Sequence, residues 1–339
     1  MSHQYVAQQP SGFKNNIEKV AVVGATGSVG KYITEELLKT GKHIVTALTR
    51  TDSESTMPKG VQVARVDYSS EDSIVDSLKG QEFLIITMST RAPRDTQSKL
   101  INAAAKAGVK WVMPNEYSPD YVGEEAMGRD VMNFGQVQLG ARQLIESHGM
   151  SWTALCCSHW YEFSLAGSQT RYGFDFQSKT VTYYDGGDVK INHSTWPQCG
   201  RAVAKLLSLK LLPEDESDKA PTLSQFRNKP LYISSFLLSQ NDMLAAVLKA
   251  TGDKESDWTI QSKPVTERYQ DGINAMQKGD MLGFATAMYA RVFYPEGSPG
   301  DYESKGKLAN DILGLPKEDL NEATKNAVRM AETGEGLYH

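Results

Sequence analysis

Cysteine is scarce in this chain of 339 residues: Cys156, Cys157 and Cys199 are all there are, two of them adjacent. That spacing gives neither a metal-ligand pattern nor a disulfide framework, and it points to a reducing cytoplasm. A basic excess is missing too, with 36 Lys and Arg against 41 Asp and Glu and a formal charge of -5. Nucleic acid and anionic membrane are therefore not expected partners. Apolar runs are short, and none approaches a membrane span. Residues 1–16 are polar, lack the apolar segment of a secretion signal, and read as a flexible leader. Internal repeats and low-complexity tracts are also missing. What remains suits a globular protein, long enough for a nucleotide-type fold with an appended lobe.

What the chain does have is a strand that runs straight into spaced glycines. Residues 19–23 are mostly apolar, Gly24, Gly27 and Gly30 follow at G-x-x-G-x-x-G spacing, and 31–38 reads as a helix. One glycine permits the tight turn, one lets the backbone approach a pyrophosphate, and one lets helix and strand pack closely. N–H groups at the helix start then face the phosphates, helped by the helix dipole. Thr26, Ser28 and Val29 complete the expected phosphate contacts. A second strand, 43–50, ends on Arg50 between Thr49 and Thr51. A carboxylate at that strand end would select NAD, whereas an arginine suits the 2′-phosphate of NADP. Asp52 offers Arg50 a surface ion pair instead. NADP(H) is the expected cofactor, and no metal is expected.

Strands and helices alternate through the first half, which predicts an α/β fold: a Rossmann-type doubly wound parallel sheet with a smaller α+β substrate lobe. The NADP-binding domain is expected over 17–160, with about 190–235 packing back on it, and the substrate lobe over 161–339. Later segments read as a hairpin-type turn at 181–188, a strand at 231–235, and helices at 201–209, 240–251, 267–293 and 316–333. Ligands in such sheets lie outside the carboxyl ends of the strands. That rule selects Asp67, Met88, Ser89, Thr90, Asn115 and Ser158 to border the cofactor. Trp160, Tyr161 and Phe163, with Trp196, form an aromatic wall suited to a small aromatic or polycyclic substrate. His159, Tyr117 and Glu116 are the candidate acids, His159 foremost because its ordinary pKa lies near working pH. Buried, inert thiols are the expectation for Cys156 and Cys157.

Several of these segments together resemble one family. The turn Val22-Val23-Gly24-Ala25-Thr26-Gly27-Ser28-Val29-Gly30, the strand end Leu48-Thr49-Arg50, Pro114-Asn115-Glu116-Tyr117 and Ser151-Trp152-Thr153 look like the NmrA-like, isoflavone-reductase-like branch of the atypical short-chain dehydrogenases. The likeness extends over 190–209 and Gly314-Leu315-Pro316, and it is strongest to the fungal members. It implies an NADPH-dependent reductase of aromatic secondary metabolites, or a redox-state sensor without chemistry. The family's reductases carry a lysine on the helix after the fifth strand, a position that falls on Gln138 here. No lysine occurs from 111 to 178, and the short-chain Y-x-x-x-K pair would fall on Phe134 and Gln138. Gln138 can bond a ribose hydroxyl but cannot supply a proton. Reduction with another acid, a cofactor-assisted rearrangement and an NADP-sensing role all stay open, as do monomer and homodimer.

Overall fold

The computed structural model describes residues 5–89 and 91–335, so the expected ligand residue Thr90 lies outside it. The first half alternates: β1 (Lys19–Val23), α1 (Gly30–Lys39), β2 (Ile44–Arg50), β3 (Gln62–Val66), α2 (Glu71–Leu78), β4 (Phe83–Ile86) and α3 (Thr96–Ala107). It continues through β5 (Trp111–Met113), α4 (Glu125–Asp130), α5 (Phe134–Ser147) and β6 (Ser151–Cys156). Short pieces follow: β7 (His159–Trp160), α6 (Tyr161–Leu165), β8 (Phe174–Asp175), β9 (Thr180–Tyr184), β10 (Ile191–Ser194) and α7 (Trp196–Leu207). The chain ends with β11 (Lys229–Tyr232), β12 (Phe236–Leu238), α8 (Gln240–Thr251), β13 (Thr259–Lys263), α9 (Val265–Gln277), α10 (Leu282–Val292) and α11 (Leu320–Thr333).

Seven strands pair in parallel in the order β11-β6-β5-β4-β1-β2-β3. Side chains alternate across this sheet, as a two-residue period demands. Val20, Val22, Phe83 and Ile85 pack against α1 and α7, while Ala21, Val23, Leu84 and Ile86 pack against α2, α3 and α5. Each fully buried Val, Leu, Ile or Phe among them contributes about 1.5–3 kcal/mol. Strand order reverses between β1 and β4, and ligands of such sheets bind at that switch point. Two three-stranded sheets, β12-β10-β7 and β13-β9-β8, belong to the second half. Its separate core gathers Tyr161, Tyr172, Phe174, Tyr184, Met243, Val247 and Tyr289.

Three expectations need correction. Residues 5–16 are docked: Val6 N–H donates to Pro213 O (3.0 Å), Leu211 N–H to Asn15 O (3.1 Å), and Asn15 Nδ2 to Leu212 O (2.9 Å). The turn at 185–187 exists, but β9 pairs back with β8 and forward with β13, so 181–188 is no hairpin. Helix α7 begins five residues earlier than expected, because Thr195 Oγ1 accepts from Gln198 N–H (3.0 Å) and Pro197 fits the first turn. Among the described residues, no helix is long and apolar enough to cross a membrane.

Candidate cofactor and substrate site

The glycine turn is closed by its own backbone. Gly27 N–H donates to Gly24 O and Lys31 N–H to Gly27 O, both at 2.9 Å. Gly24 has φ +78°, and a Cβ there would stand 2.0 Å from Thr87 O; a Cβ on Gly30 would stand 2.1 Å from Gly24 O. At Gly27 the only neighbour of a Cβ is Gly24 O at 3.2 Å. Gly24 and Gly30 are therefore required by packing, whereas Gly27 leaves the backbone open for close approach from outside. The turn also lies at the positive end of the α1 dipole, with Ser28 and Val29 just before the helix and Thr26 within the loop. Thr87 locks the assembly, its hydroxyl donating to Val23 O (2.7 Å) and Gly24 O (3.1 Å). Sequence reasoning passed over Thr87, although it is the one hydroxyl in an otherwise apolar run.

Arg50 stands at the end of β2 with its side chain largely exposed, and its Nε is 3.2 Å from Asp52 Oδ1. Arg65, also missed, holds the loop beneath it by donating to Arg50 O (3.2 Å), Thr51 O (3.4 Å) and Ser53 O (2.5 Å). Asp67 spends its carboxylate locally, accepting from Ser69 N–H (2.8 Å) and Oγ (2.6 Å), which holds its pKa below the usual range. Asn115 clasps Met88 in both directions at 3.2 Å, and Ser89 Oγ accepts from Arg91 N–H (3.2 Å). These ties fix the ends of β4 and β5 rather than reach outward.

The substrate side is built differently. Strand β6 leaves the large sheet at Ser158, whose φ of +53° is strained for a residue with a side chain. Trp160, Phe163 and Trp196 come together with ring centroids 5.8 Å apart in each pair, and Tyr32 of α1 stacks on Trp196 at 6.2 Å. Tyr161 is not part of this wall. Its ring is buried against His193 and Phe236, and its hydroxyl bonds Thr324 Oγ1 at 2.8 Å. Gln138 Nε2 donates to Ser118 Oγ (3.1 Å).

Fourteen buried side-chain polar atoms lack a partner among the described residues, and eight of them belong to residues that follow β5 and β6 or lie in β7, α5, α6 and α7. They are Tyr117 Oη, Gln138 Oε1, Ser158 Oγ, both ring nitrogens of His159, Trp160 Nε1, Glu162 Oε2 and Trp196 Nε1. Native proteins leave few such atoms, so each is a place where a group from outside the chain can bond.

The expected acids fare poorly on geometry. Burial, with His193 and Arg171 adding to it, pushes His159 down to about 3, so its imidazolium is absent at neutral pH. Its ring lies 4.1 Å from that of Tyr289, inside the second core. Tyr117 is fully buried, and burial first, with Cys157 and Cys199 nearby, raises its pKa well above the ordinary value. Glu116 gives both oxygens to Arg142, with Nη2 to Oε2 at 2.7 Å. Burial pushes Glu116 up to about 7 against that guanidinium, which itself is held charged. Neither oxygen is left for a substrate. The three thiols are buried, and burial raises those of Cys156 and Cys199. No group of three metal-ligating side chains occurs among the described residues.

A carboxylate that sequence reasoning passed over completes the picture. Glu162, alone among the aromatics of 159–163, lines a hollow of about 360 Å³ with Thr195, Arg201 and Glu318.

The NmrA-like family profile matches residues 16–173. The Aspergillus flavus protein named Oxidoreductase aprR is 30% identical over 318 residues, covering 92% of this chain and 99% of that one. A solved structure of AtPrR2 with NADP+ and (+)pinoresinol superposes with TM-score 0.71 at 20% identity, covering 92% of this chain and 99% of the other. A binary complex of leucoanthocyanidin reductase and NADPH from Vitis vinifera gives TM-score 0.68 at 16% identity, with 92% and 99% coverage.

Proposed function

Since the chain belongs to the NmrA-like family, we propose that it is an NADP(H)-dependent oxidoreductase that reduces a carbonyl, imine or conjugated alkene of an aromatic substrate. The packed rings of Trp160, Phe163 and Trp196, with Trp196 stacked on Tyr32 of the helix that leaves the glycine turn and the ring nitrogens of both tryptophans unpartnered among the described residues, carry this reading. Gly24, Gly27 and Gly30 suit a pyrophosphate, Arg50 a 2′-phosphate, and Gln138 a ribose hydroxyl. When bound, the reduced nicotinamide supplies hydride from its C4 position. The chain's own residues bind, orient and exclude water: Asn115 fixes the β4 and β5 ends, and Trp160, Phe163 and Trp196 wall the cleft. The relative bound to NADP+ and (+)pinoresinol supports this choice of cofactor and substrate class.

Absence of lysine from 111 to 178 favours a second reading, a cofactor-assisted rearrangement without net redox. Loss of NADPH absorbance against a panel of aromatic ketones, imines and quinones separates the two. Turnover with at least one member is expected. Tight NADPH binding with no oxidation across the panel would overturn the reductase reading in favour of rearrangement or sensing.

A further inference from the structure

Glu162 sits in α6, two residues beyond the end of β7, and only 3% of its surface is exposed. Its carboxyl accepts the N–H of Trp196 at the start of α7, while Oε2 has no partner among the described residues. Trp160 and Phe163 flank it in sequence and meet Trp196 in space, and Trp196 stacks on Tyr32 of the helix that leaves the glycine turn. Glu162 thus combines a buried carboxyl oxygen without a partner among the described residues, a place in the chain between Trp160 and Phe163 of the aromatic wall, and a side of a hollow that none of the wall residues lines. The other candidates stand otherwise: Glu116 is paired with Arg142, Tyr117 Oη is fully buried beside Cys157 and Cys199, and His159 is a neutral ring.

We infer that Glu162 is the group that hands a proton to the substrate, an inference that rests on the oxidoreductase reading above. As the substrate carbon receives hydride from the reduced nicotinamide, the C=O π pair moves onto oxygen. That oxygen takes the proton from Oε2, and the carboxylate left behind regains one from water. Burial is the main cause that pushes Glu162 up to about 8, so it holds its proton at neutral pH. The backbone N–H of Glu162 itself is the chief opposing cause, joined by the N–H of Trp196 and by Arg201, whereas Glu318 reinforces the shift. Lys317, Asp319 and Glu322 border the same hollow, and Tyr32 and Cys199 feel the Glu162 charge from α1 and α7. Arg201 is paired with Glu318, which leaves Oε2 unclaimed.

An aryl diazoacetate tests this on the full chain without any known substrate. The carboxyl O–H bond breaks as its proton moves to the diazo carbon, dinitrogen leaves with its electron pair, and the carboxylate closes an ester bond. Peptide mapping should find the ester on Glu162 and not on Glu116. Labelling should fall about tenfold from pH 7 to pH 9, following the protonated fraction. Glu162→Gln keeps an acceptor for Trp196 N–H and should melt with the parent but take no label. An unlabelled Glu162, or labelling equal at both pH values, would overturn the inference, and the parent chain alone decides this even if the variant folds badly. Once a substrate is accepted, Glu162→Gln should lower kcat about 10²–10⁴-fold with NADPH affinity unchanged. Failure of NADPH to bind, with Glu162 still labelled, would instead break the oxidoreductase reading.

Discussion

The glycine turn and the aromatic edge share one end of one sheet and are built in opposite ways. At the turn, the constraints are local and made of backbone: two hydrogen bonds within 24–31, a positive φ at Gly24, and Thr87 bonded to two carbonyls. At the aromatic edge, side chains of β7, α6 and α7 meet, and Trp160 Nε1, Glu162 Oε2 and Trp196 Nε1 have no partner among the described residues. Backbone geometry can recognise only what is common to many ligands, such as a pyrophosphate. Unpaired side chains on a rigid frame can discriminate one substrate from another.

Removing what the aromatic edge does satisfy should produce the largest effect. Arg142→Ala leaves Glu116 and Asp120 buried without their cation, and loss of about 3–5 kcal/mol is expected from urea denaturation. A cost below about 1 kcal/mol would show that this network does not hold the edge together. On the turn's side of the contrast the effect is smaller. Arg50→Ala should weaken NADP+ binding about tenfold and leave NAD+ unchanged, because the exposed guanidinium must first give up Asp52. Isothermal titration with both cofactors measures this, and equal loss for the two would refute the 2′-phosphate contact. Gln138→Ala should have the smallest effect, costing on the order of 1 kcal/mol of cofactor affinity as the bond from its unpartnered Oε1 to a ribose hydroxyl is lost. A hundredfold fall in turnover at constant affinity would mean that Gln138 does chemistry after all.

The same contrast explains what could be read from the sequence. Glycine spacing placed a turn between β1 and α1, where the structure has one, because the constraints there lie within a few residues of one another. The sheet followed from alternation, since buried parallel strands such as β4 are apolar throughout. The aromatic edge was only half legible. Trp160, Phe163 and Trp196 do meet, but Tyr161, one residue from Trp160, turns into the second core to bond Thr324, which lies 163 residues away. His159 looked attractive by its ordinary pKa, and only its packing on Tyr289 reveals a desolvated neutral ring. Glu116 met the same fate through Arg142, 26 residues on. Glu162 carried a signal, a lone carboxylate within an aromatic run, but its unpartnered oxygen depends on α7 and 316–326 closing around it.

That the glycine turn is a cofactor cradle is tested most directly by titrating NADPH into the parent and Gly27→Val, followed by the cofactor's fluorescence. A Cβ at Gly27 meets only Gly24 O at 3.2 Å, so the variant needs only a small adjustment and should melt with the parent. Its branched side chain would nevertheless occupy the approach of the pyrophosphate, and affinity should fall at least about a hundredfold, roughly 2.7 kcal/mol. A folded Gly27→Val that binds NADPH as tightly as the parent would contradict the account.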